Sequence, residues 1–554
     1  MTDFWPGLAQ AGLILGALVL VHRPLGDYLA RVYSSERHSR IERLAYRLFR
    51  VDPESQQRWT TYALGVLGFS FVSIVLLYLM QRLQPLLPFD FGRGAVDPGM
   101  AFNTAVSFVT NTNWQSYSGE EVLGHSVQMA GLTVQNFLSA SVGMAIAIAL
   151  IRGFVRAGTD RLGNFWVDLT RGTVRVLLPM AFVFAILLIA FGVVQSLSAG
   201  VAVQGPDGAR NTIALAPAAS QEVIKELGTN GGGIFNANSS HPFENPNGWT
   251  NAIEIFLLLV IPVSLTRTFG TLVGNRRQGY VLLSVMGAIW AVMLSIAWWA
   301  ETHPNGPAAL LAGANMEGKE VRFGLGASAL FATSTTGTST GAVNSMHDSF
   351  TGLGGFVPLL NMLFGEVAPG GVGAGMYGIL VLAVIAMFLA GLMVGRTPEY
   401  LGKKLGRREV TCAAIAILAM PTVVLLGTGA ALLMPGELSA ALTNNGSHGL
   451  SEVLYAYTSA GNNNGSAFAG LTVTSDWYQS SLGVAMLLGR FVPILAVLCL
   501  AGSLAARRKV PVTAGTLPTT SPLFGSVLAG TVVGVAALTF IPALALGPLA
   551  EALA

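Results

Sequence analysis

Four short, uncharged, oxygen-rich clusters are the parts of this 554-residue chain best suited to chemistry: TNTN at 110–113, GTNG at 228–231, TSTG at 338–341 and NNNG at 462–465. Set beneath one another, they agree by column. Gly228, Thr338 and Asn462 share the first column with Thr110, and Asn111, Thr229, Ser339 and Asn463 share the second. The third holds Thr112, Asn230, Thr340 and Asn464, and the fourth Asn113, Gly231, Gly341 and Gly465. None of the clusters contains Asp, Glu, Lys or Arg. A carboxylate ring would suit a divalent cation and a ring of Lys or Arg an anion, so neutral oxygens point to a weakly hydrated monovalent cation such as K+. Small residues let backbones approach closely, and glycine permits the left-handed conformations that turn successive carbonyls inward. The backbone carbonyls of these clusters would then stand in for the ion's water, while the amide and hydroxyl side chains lock the loops.

Irregular backbone of this kind needs elements to position it. Apolar residues make up 52% of the chain and charged residues 11%, the balance of an integral membrane protein. Ten stretches are long enough to span a hydrocarbon core: 5–21, 60–82, 126–151, 173–197, 250–272, 279–300, 372–395, 410–434, 480–504 and 523–548. The first reads as a mature helix, not a cleaved leader, because its basic residues follow the apolar run and no small-residue cleavage pattern ends it. Lys and Arg collect on alternate loops. Arg23, Arg31, Arg37, Arg40, Arg43, Arg47 and Arg50 fill the first loop, Arg152 to Arg175 the third and Arg267, Arg276 and Arg277 the fifth. Arg396 to Arg408 and Arg507 to Lys509 complete the series, whereas 435–479 has no Lys or Arg. These loops are therefore expected on the cytoplasmic side, with both termini facing outward, and the charge is topology rather than a nucleic-acid surface. Cys412 and Cys499 lie in expected spans and offer no disulfide framework or metal spacing.

All four clusters fall on outward loops, each after a short helix-like run at about 99–109, 219–227, 326–336 or 450–460. The expected fold is an all-α multi-pass membrane protein with four repeats of helix, half-helix, polar loop and helix around one pore. The repeats cover 60–152, 173–272, 279–395 and 410–504, with an extra helix at each end, 1–25 and 523–548. Half-helices descending from outside would aim the negative ends of their dipoles at a cation. Arg490, near the middle of the ninth span, is costly in lipid and is expected to face a cavity or a partner. GGVGAGMYG at 370–378 opens the seventh span with glycines that favour a break.

Longer motifs carry a family resemblance. TNTNWQSYSGE at 110–120, GTNGGGIFNANSSHPFENP at 228–246, MHDSFTGLGG at 346–355, VGRTPEYLGKK at 394–404 and SEVLYAYTSAGNNNGSAFAGL at 451–471 closely resemble the KdpA family, the potassium-binding A subunits of the bacterial Kdp potassium-importing P-type ATPases. The resemblance extends over essentially the whole chain. It implies a channel-like protein related to Trk and Ktr transporters, working in the inner membrane beside the other Kdp components. Those are KdpB, a P-type ATPase that hydrolyses the ATP, KdpC, and a small single-span subunit. The family's filter ligands carry over onto Asn111, Thr229, Ser339 and Asn463 with their neighbours. Gln115 matches a position that affects ion affinity, and Gly232 flanks the second cluster. Arg490 matches an Arg just below the filter, and Gly370, Gly371 and Gly373 fall in an interrupted helix that obstructs the pore. The sequence has neither a Walker A loop nor DKTG, so no ATP site is expected on this chain.

Two other readings compete. The same repeats would serve a stand-alone Trk/Ktr-like K+ channel or symporter, although no cluster carries Gly-Tyr-Gly and Asn113 replaces the glycine of the other three. GTSTG at 337–341 fits the G-x-S-x-G nucleophile elbow of hydrolases, with Ser339 at its centre, but that elbow needs a strand before it, whereas this one follows a half-helix and aligns with three clusters read as non-catalytic. His125, His241, His347 and His448 stand singly, without metal-ligand spacing, as hydrogen-bonded loop residues. Asn238, Asn445 and Asn464 open N-x-S/T triplets that read as accidental.

Overall fold

In the computed structural model, residues 4–303, 315–511 and 516–553 are described. Ten helices among them are long and apolar enough to cross a membrane: Trp5–Ser34, Trp59–Arg82, Val127–Val155, Phe165–Ala190, Gly248–Leu272, Arg276–Thr302, Ala374–Met393, Arg407–Leu432, Asp476–Ala506 and Pro522–Leu546. They are called the first to tenth spans below. Four shorter helices, Pro98–Val109, Ala218–Leu227, Gly324–Gly337 and Gly446–Asn462, each end at one of the polar clusters. Strands are confined to three two-stranded ribbons among the described residues. The chain is an all-α multi-pass membrane protein.

Burial sorts the spans into two shells. The membrane-crossing stretches that follow a polar cluster, in the third, fifth, seventh and ninth spans, are 83%, 83%, 61% and 56% buried. Those that precede one, in the second, fourth, sixth and eighth spans, are only 28%, 22%, 33% and 22% buried. A helix hydrophobic all round can sit in either place, so hydropathy alone does not separate the shells. Small residues do part of the sorting: Gly143, Gly153 and Gly489 lie where an added Cβ would fall within 2.4–2.7 Å, or closer, of a neighbouring backbone oxygen. The first span packs on the fifth, the ninth on the third, and the eighth on the ninth.

Several boundaries differ from expectation. The first helix runs to Ser34, so Arg23 and Arg31 lie on it instead of in a loop. Its continuation buries Leu29, Ala30, Val32 and Tyr33, which repays the extension past the membrane-length run. The fourth span starts eight residues before the expected 173 and stops at Ala190, where Phe191 caps the helix and Gly192 turns left-handed. A hairpin of Gly200–Gln204 and Arg210–Ala214 then turns through Pro206-Asp207-Gly208, and the expected span to 197 had absorbed its approach. After the third cluster the chain forms an additional helix, Gly352–Leu363, and an irregular stretch at 364–373 before the seventh span begins at Ala374. Left-handed Gly365, Glu366, Gly370 and Gly373 prevent one continuous helix there.

The basic residues of the expected cytoplasmic loops are also more than orientation signals. Arg152 makes a forked contact with Asp168, Arg267 with Asp27 at 2.8 Å on both arms, and Arg507 with Glu409 at 2.8 Å on both arms. Arg175 pairs with the fully buried Glu42. Paired in this way, charges at helix ends are held without an orphaned partner. Cys412 and Cys499, from the eighth and ninth spans, come within 3.1 Å of each other, a proximity that their 87-residue separation hides.

Candidate functional site

Each of the four short helices ends in the same cap. The third-column N–H reaches back five residues to a helix carbonyl: Thr112 to Ser107, Asn230 to Lys225, Thr340 to Thr335 and Asn464 to Ser459, at 2.8, 2.8, 3.0 and 2.9 Å. This is the 6→1 bond of a Schellman motif, which requires the preceding residue to be left-handed. That residue is the second column, and Asn111, Thr229, Ser339 and Asn463 have φ of 66°, 47°, 56° and 62°. The fourth column is left-handed too, with Asn113 at 57°, Gly231 at 91°, Gly341 at 82° and Gly465 at 98°. Asn tolerates such a conformation, but a β-branched Thr229 does so only under external constraint, at a cost of roughly 1–3 kcal/mol.

The four loops touch in a closed cycle. Asn111 Nδ2 donates to the Thr229 carbonyl at 2.7 Å, and Asn230 Nδ2 donates to Asn111 Oδ1 at 2.7 Å, joining the first loop to the second. Gly231 abuts the third loop so closely that a Cβ would sit 1.8 Å from the Thr340 oxygen. Gly341 lies in the same way against the Asn464 oxygen, at 2.3 Å, and Ser339 Oγ donates to the Asn463 carbonyl at 3.2 Å. Gly465 meets the Thr112 oxygen at 1.9 Å, and Asn463 Nδ2 donates to Thr112 Oγ1 at 2.9 Å, which returns to the first loop. In the fourth column, therefore, glycine is required three times by the carbonyl of the next loop. Asn113 stands at the remaining corner, against Gly232, whose own Cβ would fall 2.8 Å from Asn113. Gly228 is likewise crowded, by the side chain of Asn230.

One face of this ring is covered by the irregular stretch before the seventh span. Val372 N–H donates to Thr229 Oγ1 at 3.0 Å, supplying the constraint that holds Thr229 left-handed. Gly370 N–H donates to the Gly337 carbonyl at 2.8 Å, and a Cβ on Gly371 would lie 2.9 Å from the Thr338 oxygen. Gly373 packs on Gly143 of the third span. Glu366 accepts from Asn464 Nδ2 at 2.7 Å. Beside this stretch is a cavity of about 130 Å³, lined among others by Glu366, Val367, Tyr377, Asn462, Asn463 and Arg490. Arg490 is only 6% exposed, and its Nη2 lies 3.4 Å from the Ser139 carbonyl. Ser139 Oγ in turn donates to Asn111 Oδ1 at 2.7 Å, so guanidinium and first loop share one residue of the third span. Gln115 is half-buried outside the ring and donates to the Tyr117 hydroxyl at 3.3 Å.

The structure thus gathers all four clusters, the three loop glycines and Arg490 into one place. It adds residues that their types did not flag. Asn238 Nδ2 donates to the Gly231 carbonyl at 2.7 Å, although its only sequence signal was a triplet read as accidental. Glu366 and Ser139 carried no local signal, because their partners are 98 and 28 residues away. His125, His241 and His347 make single hydrogen bonds with Ser198, Phe243 and Tyr455.

His448 departs from that pattern, since its ring lies 3.0 Å from both Asp348 and Glu551. Hydrogen bonds to those two carboxylates push its pKa up to about 10. Its contribution to stability is full below the ordinary imidazole pKa of about 6.5, falls as pH rises above it and is gone above about 10. His448→Ala is expected to lower stability by on the order of 1 kcal/mol more at pH 6 than above pH 10, where only the pH-independent packing on Phe468 is lost. Thermal unfolding of wild type and variant at the two pH values checks this, and an equal deficit at both would discount the charged contact.

The family model and the curated relatives point to one family. Residues 12–553 match the family described as Potassium-transporting ATPase A subunit, KdpA. The chain is 62% identical over 553 residues to the "Potassium-transporting ATPase potassium-binding subunit" of Kineococcus radiotolerans, covering 100% of this chain and 99% of that one. It is 61% identical to the protein of the same name from Nocardia farcinica, with 99% and 100% covered, and 58% identical to that from Streptomyces coelicolor, with 100% of both covered. Among solved structures, the potassium transporter TrkH from Vibrio parahaemolyticus superposes with a TM-score of 0.53 at 14% identity, over 86% of this chain and 97% of that one, a likeness of fold alone.

Proposed function

The chain belongs to the potassium-transporting ATPase A-subunit family, and from that membership we propose that it binds K+ within its ring of four loops and passes the ion into an ATP-driven import complex. It is the potassium-binding subunit of a K+-transporting ATPase, and a stand-alone channel is the less favoured reading. The closed cycle of four capped loops is the observation that carries the site assignment. Each short helix directs the negative end of its dipole at the ring. Left-handed residues at every second position of each loop turn carbonyls to one side, where they replace a cation's hydration shell. The ligands are the backbone oxygens of residues 111–113, 228–231, 338–341 and 462–465.

Passage is controlled below the ring. Val372, Gly370 and Gly371 hold the irregular stretch against two of the loops, so the stretch acts as a barrier whose displacement also disturbs Thr229. The Arg490 guanidinium keeps a fixed positive charge beside the cavity and opposes free flow of K+. ATP hydrolysis belongs to a P-type ATPase partner, KdpB, with KdpC and a small single-span protein completing the assembly. The four repeats at 60–152, 173–272, 279–395 and 410–504 surround the pore, with 1–25 and 523–548 as peripheral helices. The ring opens to the outside of a bacterial inner membrane, and both termini lie on that side.

Purification of the chain with whatever ATPase accompanies it tests the reading. Submillimolar K+ is expected to stimulate ATP hydrolysis by the complex. An unaccompanied chain that conducts K+ in proteoliposomes would instead establish the channel.

A further inference from the structure

Behind the second loop lies a group of charges that ion passage does not use. The helix Ala218–Leu227 carries Glu222, Lys225 and Glu226, and Glu244 joins them from the loop that follows; none is more than 1% exposed. Lys225 Nζ lies 2.7 Å from Glu222, 2.9 Å from Glu244 and 3.7 Å from Glu226. Glu244 uses its other oxygen to accept from the Ile234 and Phe235 N–H groups, both at 3.0 Å. Ser239 Oγ is 2.8 Å from Glu222 Oε1 and 3.2 Å from Glu226 Oε1. This much is a network built around one ammonium.

Glu254 enters separately, from the fifth span. Its side chain is 0% exposed, and neither of its oxygens accepts a hydrogen bond among the described residues. Glu226 Oε2 is also without a partner there. One oxygen from each of Glu222, Glu226 and Glu254 falls within 4.8 Å of the others. A carboxylate with no partner in the protein interior costs several kcal/mol, and if fully ionised the four carboxylates against one ammonium would leave three negative charges in excess, to be met by protons or by a bound cation. Something of positive charge belongs between them.

We propose that Glu222, Glu226 and Glu254, with the Ser239 hydroxyl, hold a divalent cation of the Ca2+ or Mg2+ class, distinct from the transported K+. Carboxylate and hydroxyl oxygens are the hard donors such ions prefer. The spacing fits, because three oxygens about 4.2 Å apart surround an ion at about 2.4 Å, within the Ca–O range, and donors already within 4.8 Å of one another need close only slightly. A divalent ion cancels two of the three excess charges, whereas a monovalent ion cancels one. The bound cation ties the fifth span to the second short helix, whose Lys225 carbonyl accepts from both Asn230 and Gly231 N–H. It therefore braces the second loop from behind without touching the transported ion.

The test uses the purified complex, nucleotide-free, stripped with EDTA and re-equilibrated with CaCl2, with MgCl2, or with KCl and NaCl only. Elemental analysis of wild type is expected to show about one divalent ion per chain that Glu254→Gln lacks. EDTA should lower the unfolding temperature of wild type, one of the two divalent salts should restore it, and Glu254→Gln should be insensitive to both. The two salt arms separate Ca2+ from Mg2+. Glu226→Gln gives the same readout should Glu254→Gln fail to fold. Equal metal content in wild type and variants, an EDTA-insensitive melt, or restoration by the monovalent salts would overturn the proposal. So would an infrared carboxylic-acid band that Glu254→Gln removes, since a proton would then neutralise the site. Metal content is read without reference to K+ transport, so failure here leaves the K+ assignment standing, and the reverse.

Discussion

Gly231→Asp raises the K+ concentration needed for half-maximal uptake by at least ~100-fold, equivalent to about 2.7 kcal/mol of lost binding. Two effects add at this position. A side chain must adopt φ of 91°, and its Cβ would stand 1.8 Å from the Thr340 oxygen and 2.7 Å from the Ala342 nitrogen. No rotamer relieves an overlap at Cβ, so the second and third loops must separate. The carboxylate then places a charge beside a site built of neutral oxygens, which favours harder or smaller cations over K+. Gly231→Ala isolates the steric part and is expected to show a smaller loss of the same sign. Gly465→Ala, with its Cβ 1.9 Å from the Thr112 oxygen, should behave alike at the opposite corner. Uptake of K+ or Rb+ by cells at low external K+ measures all three. Wild-type half-saturation in Gly231→Ala would mean that the loops do not meet as described.

Arg490→Gln opens an ATP-independent leak. A unit charge repels another by about 4 kcal/mol at 4 Å and by about 2 kcal/mol at twice that distance, in an effective dielectric of ~20. Removing the guanidinium beside the cavity therefore lowers the barrier to a cation leaving the ring, and a drop of about 1.4 kcal/mol already gives about tenfold faster passage. Loss of the contact with Ser139 also loosens the residue that orients Asn111. In proteoliposomes without ATP, Arg490→Gln is expected to pass Rb+ at least about tenfold faster than wild type, whereas Arg490→Lys keeps the charge and stays closed. A variant that is tight without ATP and normally coupled with it would remove Arg490 from the barrier.

The main features of the fold were legible because they are local. Ten apolar runs are counted along the chain, and each short helix ends where Asn, Thr, Ser or Gly can accept the left-handed cap. Boundaries were less legible. The fourth span and the hairpin after it share an apolar composition, and only the left-handed turn at Gly192 decides where helix ends. The helix Gly352–Leu363 was not anticipated, because twelve residues fall short of a span and its place depends on the short helices Gly324–Gly337 and Gly446–Asn462 it packs against.

Sequence by itself determined the membrane class, the four matching clusters, their neutral oxygen chemistry and the glycines at 231, 341 and 465. Those depend on residues within a few positions of each other, and each repeat of the pattern states the same cap again. Tertiary structure alone decided that the second loop leans on the third through Thr340, that Val372 holds Thr229, that Glu366 meets Asn464, and that Glu254 arrives unpaired beside Glu222 and Glu226. Such contacts join residues from about thirty to more than a hundred positions apart. Side-chain periodicity places a residue on a face of its own helix, but which other helix that face meets is set by packing of the whole bundle.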